Sequence, residues 1–445
     1  MINSVSLGNI SNTKNTTPLQ IKKQEVTPAF GKIFSLRNSK NISNVYQQNP
    51  IRTRLTESEQ HLYTEIVKAV SNSANEDKSV HSDKYTQAQK LNILLMNGKL
   101  LNSSSNDGTT TLENLYKILS TERIKGFSNV KLLNQTIDAI FDPTIITQKF
   151  GDIPTPVKSV LSAEPAIVQT TDTNLKSINV DEVGSGTCAA TSIEYNMANK
   201  MPAEFARWAN ELSSPKYSVS QNVKSSALSK NPLETLELFK YFKFYPNKVN
   251  FDSYNFELRP DNNAILRAYV QNEYYDSGER SVIDVLMQST IMNMGSRGKY
   301  NSLNDARHSD DVAEGLQEHE KTFMESIIAN KEKLTLTYMT IAPDNETIQS
   351  RRCSNSKIEK HLKDALSMGE DVIIGYRDTY QGNVFWHEIT ISGMKKDKLG
   401  RTVFLCNDTD DNKNQLFEWK ASDLIPKIHH ATYPAQLVEN EYTLI

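Results

Sequence analysis

Hydrophobic and polar positions divide the chain into an aperiodic start, a helical part and a mixed part. Residues 1–54 show no apolar period and are rich in Ser, Asn, Thr and Lys, with eight basic residues against the single acidic residue Glu25. Such a segment cannot bury enough apolar surface to fold, so we expect a disordered basic tail. A targeting signal or a contact for an anionic surface is the alternative interpretation.

From Leu55 onward, apolar residues recur at helical spacing. Residues 56–59, Thr-Glu-Ser-Glu, have the form of a capping box, and Leu62, Ile66 and Val70 follow on one helical face. Further apolar runs at helical spacing continue to about residue 150. We predict a small all-helical unit over 55–150, which serves either as a pro-region or as a partner-binding module.

Both helical and strand patterns occur in residues 151–445. The spacing predicts helices at 188–199, 202–212, 233–242, 262–275, 280–294, 312–330 and 357–368, and strands at 334–341, 371–377, 385–393, 401–406 and 415–419. Strands dominate the last quarter of the chain and helices dominate before it. Because the two types are segregated rather than alternating, the predicted fold class is α+β.

Composition and charge exclude several classes of function. The 445 residues suffice for a sizeable core without disulfides. A net charge of −3 from 50 basic and 53 acidic residues disfavours a nucleic-acid partner. No stretch approaches the ~18 apolar residues of a membrane span, and no charged start followed by an apolar run marks a secretory signal. We expect a protein without a membrane span, cytoplasmic or exported without a classical signal peptide.

The sequence contains three cysteines, and their surroundings differ. Cys353 lies in a polar loop, and Cys406 alternates with apolar residues as in a packed strand. Cys188 follows Gly184-Ser185-Gly186-Thr187 and precedes small helix-forming residues, which predicts a helix N-terminus. There the peptide dipoles favour a thiolate and the free N–H groups can bind an oxyanion. Cys188 is the candidate nucleophile, with a buried structural cysteine as the alternative.

His387 is the candidate base. It lies near the start of a run with strand alternation, in which His387, Ile389 and Ile391 share the apolar face. A histidine in that position is partly desolvated and can be held in one orientation. The alternative is a core histidine that is bonded to a neighbour.

A third element follows a short turn after this strand. The next strand, 402–406, ends in Asn407 and Asp408, and a hairpin places that end beside His387. A side-chain oxygen there could accept a hydrogen bond from the imidazole and fix its tautomer. Adjacent strand residues face opposite ways, so only one of the two is expected to do this. A turn rich in Asn and Asp is the alternative.

These parts resemble the papain-like cysteine peptidase superfamily. The run 186–192, Gly-Thr-Cys-Ala-Ala-Thr-Ser, is similar to that family's Gly-Ser-Cys-Trp-Ala-Phe-Ser, and the strand 387–393 is similar to its His-bearing strand. The segment 405–407 stands where the family has its Asn-bearing strand. The chain also resembles the bacterial branch that processes double-glycine leader peptides, in which the third residue is an Asp, closer to Asp408.

The resemblance implies a papain-like catalytic domain over 151–445. A helical lobe and an antiparallel β lobe would enclose the site, and a helical insertion would lie at about 245–330. The family has a Gln six residues before the nucleophile to complete the oxyanion hole, and this chain has Glu182 there. Asn179, Thr187 or backbone N–H groups are the candidate replacements. The aromatic residue that follows the nucleophile in the family is replaced by Ala189.

The sequence therefore predicts a cysteine-dependent hydrolase that cleaves peptide or isopeptide bonds in a peptide or protein substrate, without a cofactor. Acyl transfer of the transglutaminase type on the same triad is one alternative, and a catalytically degenerate binding protein is another. No metal site is predicted, because no Cys or His pairs stand at ligand spacing and the adjacent pair His429 and His430 has no third ligand in the sequence.

Overall fold

The computed structural model describes the chain from residue 52 to residue 441 with gaps. The described residues are 52–72, 85–149, 186–230, 235–242, 252–274, 279–302, 305–307, 315–342, 347–380, 383–410 and 414–441. They all belong to one compact unit. The predicted tail lies outside the described residues except for 52–54, and so do the oxyanion candidates Asn179 and Glu182.

Four helices among the described residues precede residue 150. They are α1 (Glu57–Asn72), α2 (Gln87–Met96), α3 (Thr111–Ser120) and α4 (Asn129–Phe141). The predicted capping box of α1 is present: the Thr56 N–H donates to Glu59 at 2.8 Å, and the Glu59 N–H donates to the Thr56 hydroxyl at 3.3 Å. Each bond satisfies a donor that the first helical turn leaves without a partner.

The next part of the chain is mostly helical, as predicted. Its helices are α5 (Cys188–Lys200), α6 (Pro202–Leu212), α7 (Thr235–Tyr241), α8 (Ala264–Tyr274), α9 (Val282–Gly295) and α10 (Glu318–Ala329). Two antiparallel pairs interrupt them, β1 (Val219–Lys224) with β2 (Ser253–Leu258) and β3 (Tyr300–Asn301) with β4 (Ala306–Arg307). The sequence patterns did not predict these pairs. Across the described residues, every helix is too short or too polar to cross a membrane.

The last part contains the main sheet. Its elements are β5 (Lys333–Thr337), β6 (Met339–Ile341), β7 (Ile348–Arg351), α11 (Asn355–Ser367), β8 (Val372–Tyr380), β9 (Asn383–Lys396), β10 (Thr402–Asn407), β11 (Phe417–Lys420), α12 (Ala421–Leu424), β12 (Ile428–Pro434) and α13 (Ala435–Val438). Six strands form one antiparallel sheet in the order β11-β10-β9-β8-β12-β5. The fold class is therefore α+β, as predicted.

The helices before residue 150 share a core with those that follow. Apolar residues of α1 to α4, such as Ile66 and Leu112, belong to one cluster with residues of α5, α6, α9 and α10. Polar contacts cross the same boundary. The Asn106 N–H donates to Glu204 at 2.8 Å, and the guanidinium of Arg123 donates to the Asn210 carbonyl at 2.7 Å. Packing is thus continuous across residue 150.

This shared core predicts that residues 52–149 and 186–441 do not fold independently. Separating them exposes the apolar faces of α3 and α6 and removes the Asn210 and Ser213 partners of Arg123. We expect each fragment to lack a cooperative thermal transition in circular dichroism, whereas the full chain shows one. A monomeric 52–149 fragment with cooperative unfolding would contradict the shared core.

Candidate active site

Helix α5 begins at Cys188. Thr187 is the N-cap residue, and its carbonyl accepts from the Thr191 N–H and the Thr191 hydroxyl, both at 2.9 Å. The half-buried Cys188 side chain therefore lies in the first turn, where backbone N–H groups have no helical partner and the dipole favours a negative charge. This is the environment that the glycines and small residues of the sequence predicted.

His387 lies on β9, opposite Tyr376 of β8. The two rings pack edge to face with centroids 5.9 Å apart, and the His387 side chain is 12% exposed. His387 shares its sheet face with Ile389, as predicted, because residues two apart on a strand point the same way. The Tyr376 ring is thus one of the groups that shield the imidazole from water.

His387 connects the candidate nucleophile to the candidate acid. Its Nε2 lies 2.7 Å from Oδ1 of Asp408, and the Cys188 side chain lies close enough to raise the pKa of the imidazole as well. With Nε2 bound to the carboxylate, Nδ1 is the ring nitrogen left for the thiol. The structure thus brings Cys188, His387 and Asp408 together.

A one-residue shift in strand pairing determines whether Asn407 or Asp408 lies beside His387. A regular register between β9 and β10 would place Asn407 opposite Ile391, on the His387 face. The register shifts between Leu405 and Cys406, so that Asn407 pairs with Thr390 and lies on the other face. Asn407 is 2% exposed, and Asp408 follows it on the His387 side.

The three side chains have limited contact with water, since those of His387 and Asp408 are 12% and 21% exposed and that of Cys188 is half-buried. Burial alone would lower the pKa of His387, but Asp408 and Cys188 raise that pKa well above its usual value. Burial would raise the pKa of Asp408, but His387 holds it below its usual value. These shifts favour a protonated His387 beside an ionised Asp408, and a thiolate nucleophile needs such an imidazolium as its counter-ion.

A segment before residue 150, which the sequence did not single out, holds the loop that carries Asp408. The Thr147 hydroxyl and the Gln148 N–H both donate to the Thr409 carbonyl, each at 3.0 Å. The Thr409 hydroxyl donates back to the Gln148 side chain at 3.1 Å. The Asp410 N–H donates to Oδ1 of Asp408 at 3.0 Å, so the carboxylate is fixed from its own loop as well.

Arg280 joins this segment to the start of α5. Its guanidinium is fully buried and binds Asp305 through two N–O contacts of 2.8 and 3.1 Å. It also donates to the Gln148 carbonyl at 2.7 Å and to the Thr187 hydroxyl. No local sequence motif marks Arg280, because its partners come from three distant parts of the chain.

Among the oxyanion candidates, the structure describes Thr187. Its side chain is fully buried, and its hydroxyl lies between Arg280 and Asp305. The hydroxyl therefore serves the buried ion pair. The backbone N–H groups at the start of α5 are the donors that the described residues place beside Cys188.

The other two cysteines lie in surroundings that are typical of structural cysteines and not of nucleophiles. Cys406 lies on β10 with no exposed surface, and burial raises the pKa of its thiol. Cys353 is half-buried against the core of the sheet, and burial raises the pKa of that thiol too. The predicted strand packing of Cys406 is confirmed.

The adjacent pair His429 and His430 lies beside a carboxylate from a distant element. The sequence offered no third ligand for His429 and His430, but α10 places Glu318 beside both of them. Helix α10 precedes β12 by about a hundred residues in the chain, so no local spacing could reveal the contact.

Comparison with known proteins does not assign the chain to a family. No protein-family model matches the chain, and no curated protein is found as a relative. The papain-like resemblance thus depends on Cys188, His387, Asp408 and their settings.

The register shift predicts different results for substitutions at Asp408 and Asn407. Asp408→Asn removes a charge that raises the pKa of His387. As the pH rises, the imidazolium therefore loses its proton at a lower pH than in the parent. The thiolate then loses its counter-ion, and the rise of Cys188 alkylation with pH shifts to higher pH. Asn407→Ser changes stability without moving this profile. A shift with Asn407→Ser and none with Asp408→Asn would reverse the assignment.

Arg280→Met is expected to destabilise the protein by about 3–5 kcal/mol, because it leaves the buried Asp305 carboxylate without its cation. Urea unfolding measures this loss. The double variant Arg280→Met with Asp305→Asn should recover part of it, since no buried charge is left unpaired. A single variant within about 1 kcal/mol of the parent would show that the pair has no such role.

Proposed function

We propose that the protein is a cysteine hydrolase that cleaves a peptide or isopeptide bond through Cys188, His387 and Asp408. The observation that supports it is the position of His387, which hydrogen-bonds to Asp408 and lies near Cys188 at the first turn of a helix. A nucleophile, a base and a residue that orients the base make up the arrangement that covalent acyl transfer requires.

The reaction would proceed through a thioester. The Cys188 thiolate attacks the carbonyl carbon, and the resulting oxyanion accepts hydrogen bonds from backbone N–H groups at the start of α5. His387 gives its proton to the leaving amine as the C–N bond breaks. His387 then takes a proton from water, which attacks the thioester and releases the acid and the Cys188 thiolate. Asp408 keeps Nε2 protonated and the ring in plane throughout.

The chain order Cys, His, Asp supports the papain-like assignment. A helix that carries the nucleophile packs against an antiparallel sheet that carries the base and the acid, which is the division into lobes that the resemblance implies. The third residue beside His387 is Asp408 and not Asn407, and this favours similarity to the branch that processes double-glycine leader peptides.

Covalent labelling tests the proposal. The full chain is incubated with an acyloxymethyl ketone peptide probe, and the modified residue is identified by mass spectrometry. We expect a single adduct on Cys188, which Cys188→Ala removes and His387→Ala slows by about 10²-fold or more. Cys353→Ser is the matched control, since Cys353 is also a half-buried free thiol, and it should label like the parent.

Three outcomes would count against the proposal. Equal labelling of Cys188→Ala, or an adduct on Cys353, would remove Cys188 from the role of nucleophile. Labelling without cleavage of any member of a peptide library would indicate a binding protein that retains the triad geometry. Repeating the library digestion with an added amine separates hydrolysis from acyl transfer, because transfer gives an amide product in place of the acid.

A further inference from the structure

Two adjacent histidines on β12 point to the same side of the sheet. Consecutive residues of a regular strand face opposite ways, but the pairing of β12 with β8 shifts by one residue between Ile428 and His430. His429 is the extra residue of this bulge. As a result, Nδ1 of His429 lies only 2.9 Å from Nδ1 of His430.

A carboxylate from another element completes a triangle of donor atoms. Glu318 is the first residue of α10, and its Oε1 lies 3.2 Å from Nδ1 of His429 and 3.2 Å from Nδ1 of His430. Its other oxygen accepts from the Thr337 hydroxyl at 2.9 Å, which fixes the carboxylate in place. Two imidazole nitrogens and one carboxylate oxygen therefore converge on one point.

A second carboxylate, that of Glu388, orients the His430 ring through the ring nitrogen that does not face Glu318. Nε2 of His430 lies 3.2 Å from Oε1 of Glu388, and the other oxygen of Glu388 lies 3.1 Å from the ammonium of Lys321. An imidazole that donates from Nε2 to a carboxylate presents the lone pair of Nδ1 toward the other side. Metal-binding histidines show this arrangement, in which the outer carboxylate sets the tautomer and increases the basicity of the ligand.

Glycine at position 375 makes the Glu388–His430 contact possible. Gly375 of β8 lies between the two residues and pairs with both, with Glu388 on β9 and with His430 on β12. A Cβ at position 375 would overlap the His430 ring. The absence of a side chain there lets the imidazole lie across the strand and reach the carboxylate.

The distances fit a tetrahedral metal ion. Zinc bonds of about 2.0–2.1 Å place neighbouring tetrahedral ligands about 3.3 Å apart, and the three donor atoms here are separated by 2.9, 3.2 and 3.2 Å. The Glu318 side chain is 34% exposed and that of His429 is 17% exposed. A fourth position is thus open to water.

We propose that Glu318, His429 and His430 bind a divalent transition-metal ion, with Zn²⁺ as the preferred ion, and that Glu388 positions His430. Two imidazole nitrogens and one carboxylate oxygen suit Zn²⁺ and Co²⁺, whereas Mg²⁺ and Ca²⁺ prefer oxygen ligands alone. The site lies on the face of β9 opposite His387, and it is separate from the proposed triad.

The experiment uses the full-length Cys188→Ala chain, so that a thiolate cannot contribute a second site. The protein is treated with a chelator, dialysed and titrated with Co²⁺ and then Zn²⁺ by calorimetry and visible absorption. We expect one Co²⁺ per chain with the visible bands of a tetrahedral ion, and displacement by Zn²⁺. Glu318→Ala and His430→Ala should weaken binding by more than about 100-fold, and Glu388→Gln by about 10–100-fold.

His61→Ala is the matched control, because His61 is exposed on α1 and lies outside the cluster. It should bind Co²⁺ like the parent. The proposal is overturned if the parent takes up no stoichiometric metal, or if uptake persists in both Glu318→Ala and His430→Ala. The first result would mean that shared protons, and not a metal, join these three residues.

A fluorescence measurement places the ion without changing a ligand. The Trp386 ring packs edge to face on His429 with centroids 5.1 Å apart. Paramagnetic Co²⁺ should quench tryptophan emission, and Trp386→Phe should remove most of that quenching. Trp419→Phe is the control and should retain it, because Trp419 of β11 packs against Tyr376 on the other face of the sheet. Equal quenching in the Trp386→Phe and parent proteins would place the ion elsewhere, even if the ligand variants failed to fold.

Discussion

A guanidinium with no contact with solvent connects three parts of this molecule that are distant in sequence. The Arg280 side chain is completely buried, and so is that of its partner Asp305. An unpaired charge in that position would cost several kcal/mol, so the donors of Arg280 must be matched by acceptors. Thr187 and the Gln148 carbonyl supply two of them. The ion pair thereby fixes the residue before the Cys188 helix to the segment that holds the Asp408 loop.

This connection gives the helices before residue 150 a structural part in the candidate site. Thr147 and Gln148 hold the Thr409 carbonyl, one residue beyond Asp408. The Thr147 carbonyl is in turn held by the Gln288 side chain at 3.0 Å. Displacing this segment would free the loop that positions the carboxylate and would leave Arg280 short of an acceptor. The geometry of the triad and the packing of the core are therefore coupled through a few buried polar groups.

Local patterns predicted those features of the fold that depend on local physics. Helical spacing located α5 and α6 to within a residue, and the glycines before Cys188 indicated a helix start. Strand alternation placed His387 on the apolar face. The α+β class followed from the order of the elements. Each of the individual elements depends on residues within about a dozen positions of one another.

Features that depend on register or on distant partners could not be predicted in this way. The choice between Asn407 and Asp408 depends on a single unpaired residue in the β9–β10 ladder. Strand β12 enters the sheet between β8 and β5, and its polar histidines conceal its strand character. Arg280 and Glu318 acquire their roles from contacts that span from 25 to more than 100 positions along the chain.

The regular pairing at the centre of the sheet explains how the neighbouring residues His387 and Glu388 can belong to two separate groups of polar side chains. β8 and β9 pair without a shift from Val372–Ile391 to Tyr380–Asn383. The pleat therefore assigns His387 to one face and Glu388 to the other, and a one-residue slip would exchange them. The irregularities lie on either side of this pair. One brings Asp408 to the His387 face, and the other turns His429 and His430 toward the Glu388 face. A regularly paired centre with a bulge on each flank thus holds two groups of polar side chains on opposite faces of the sheet.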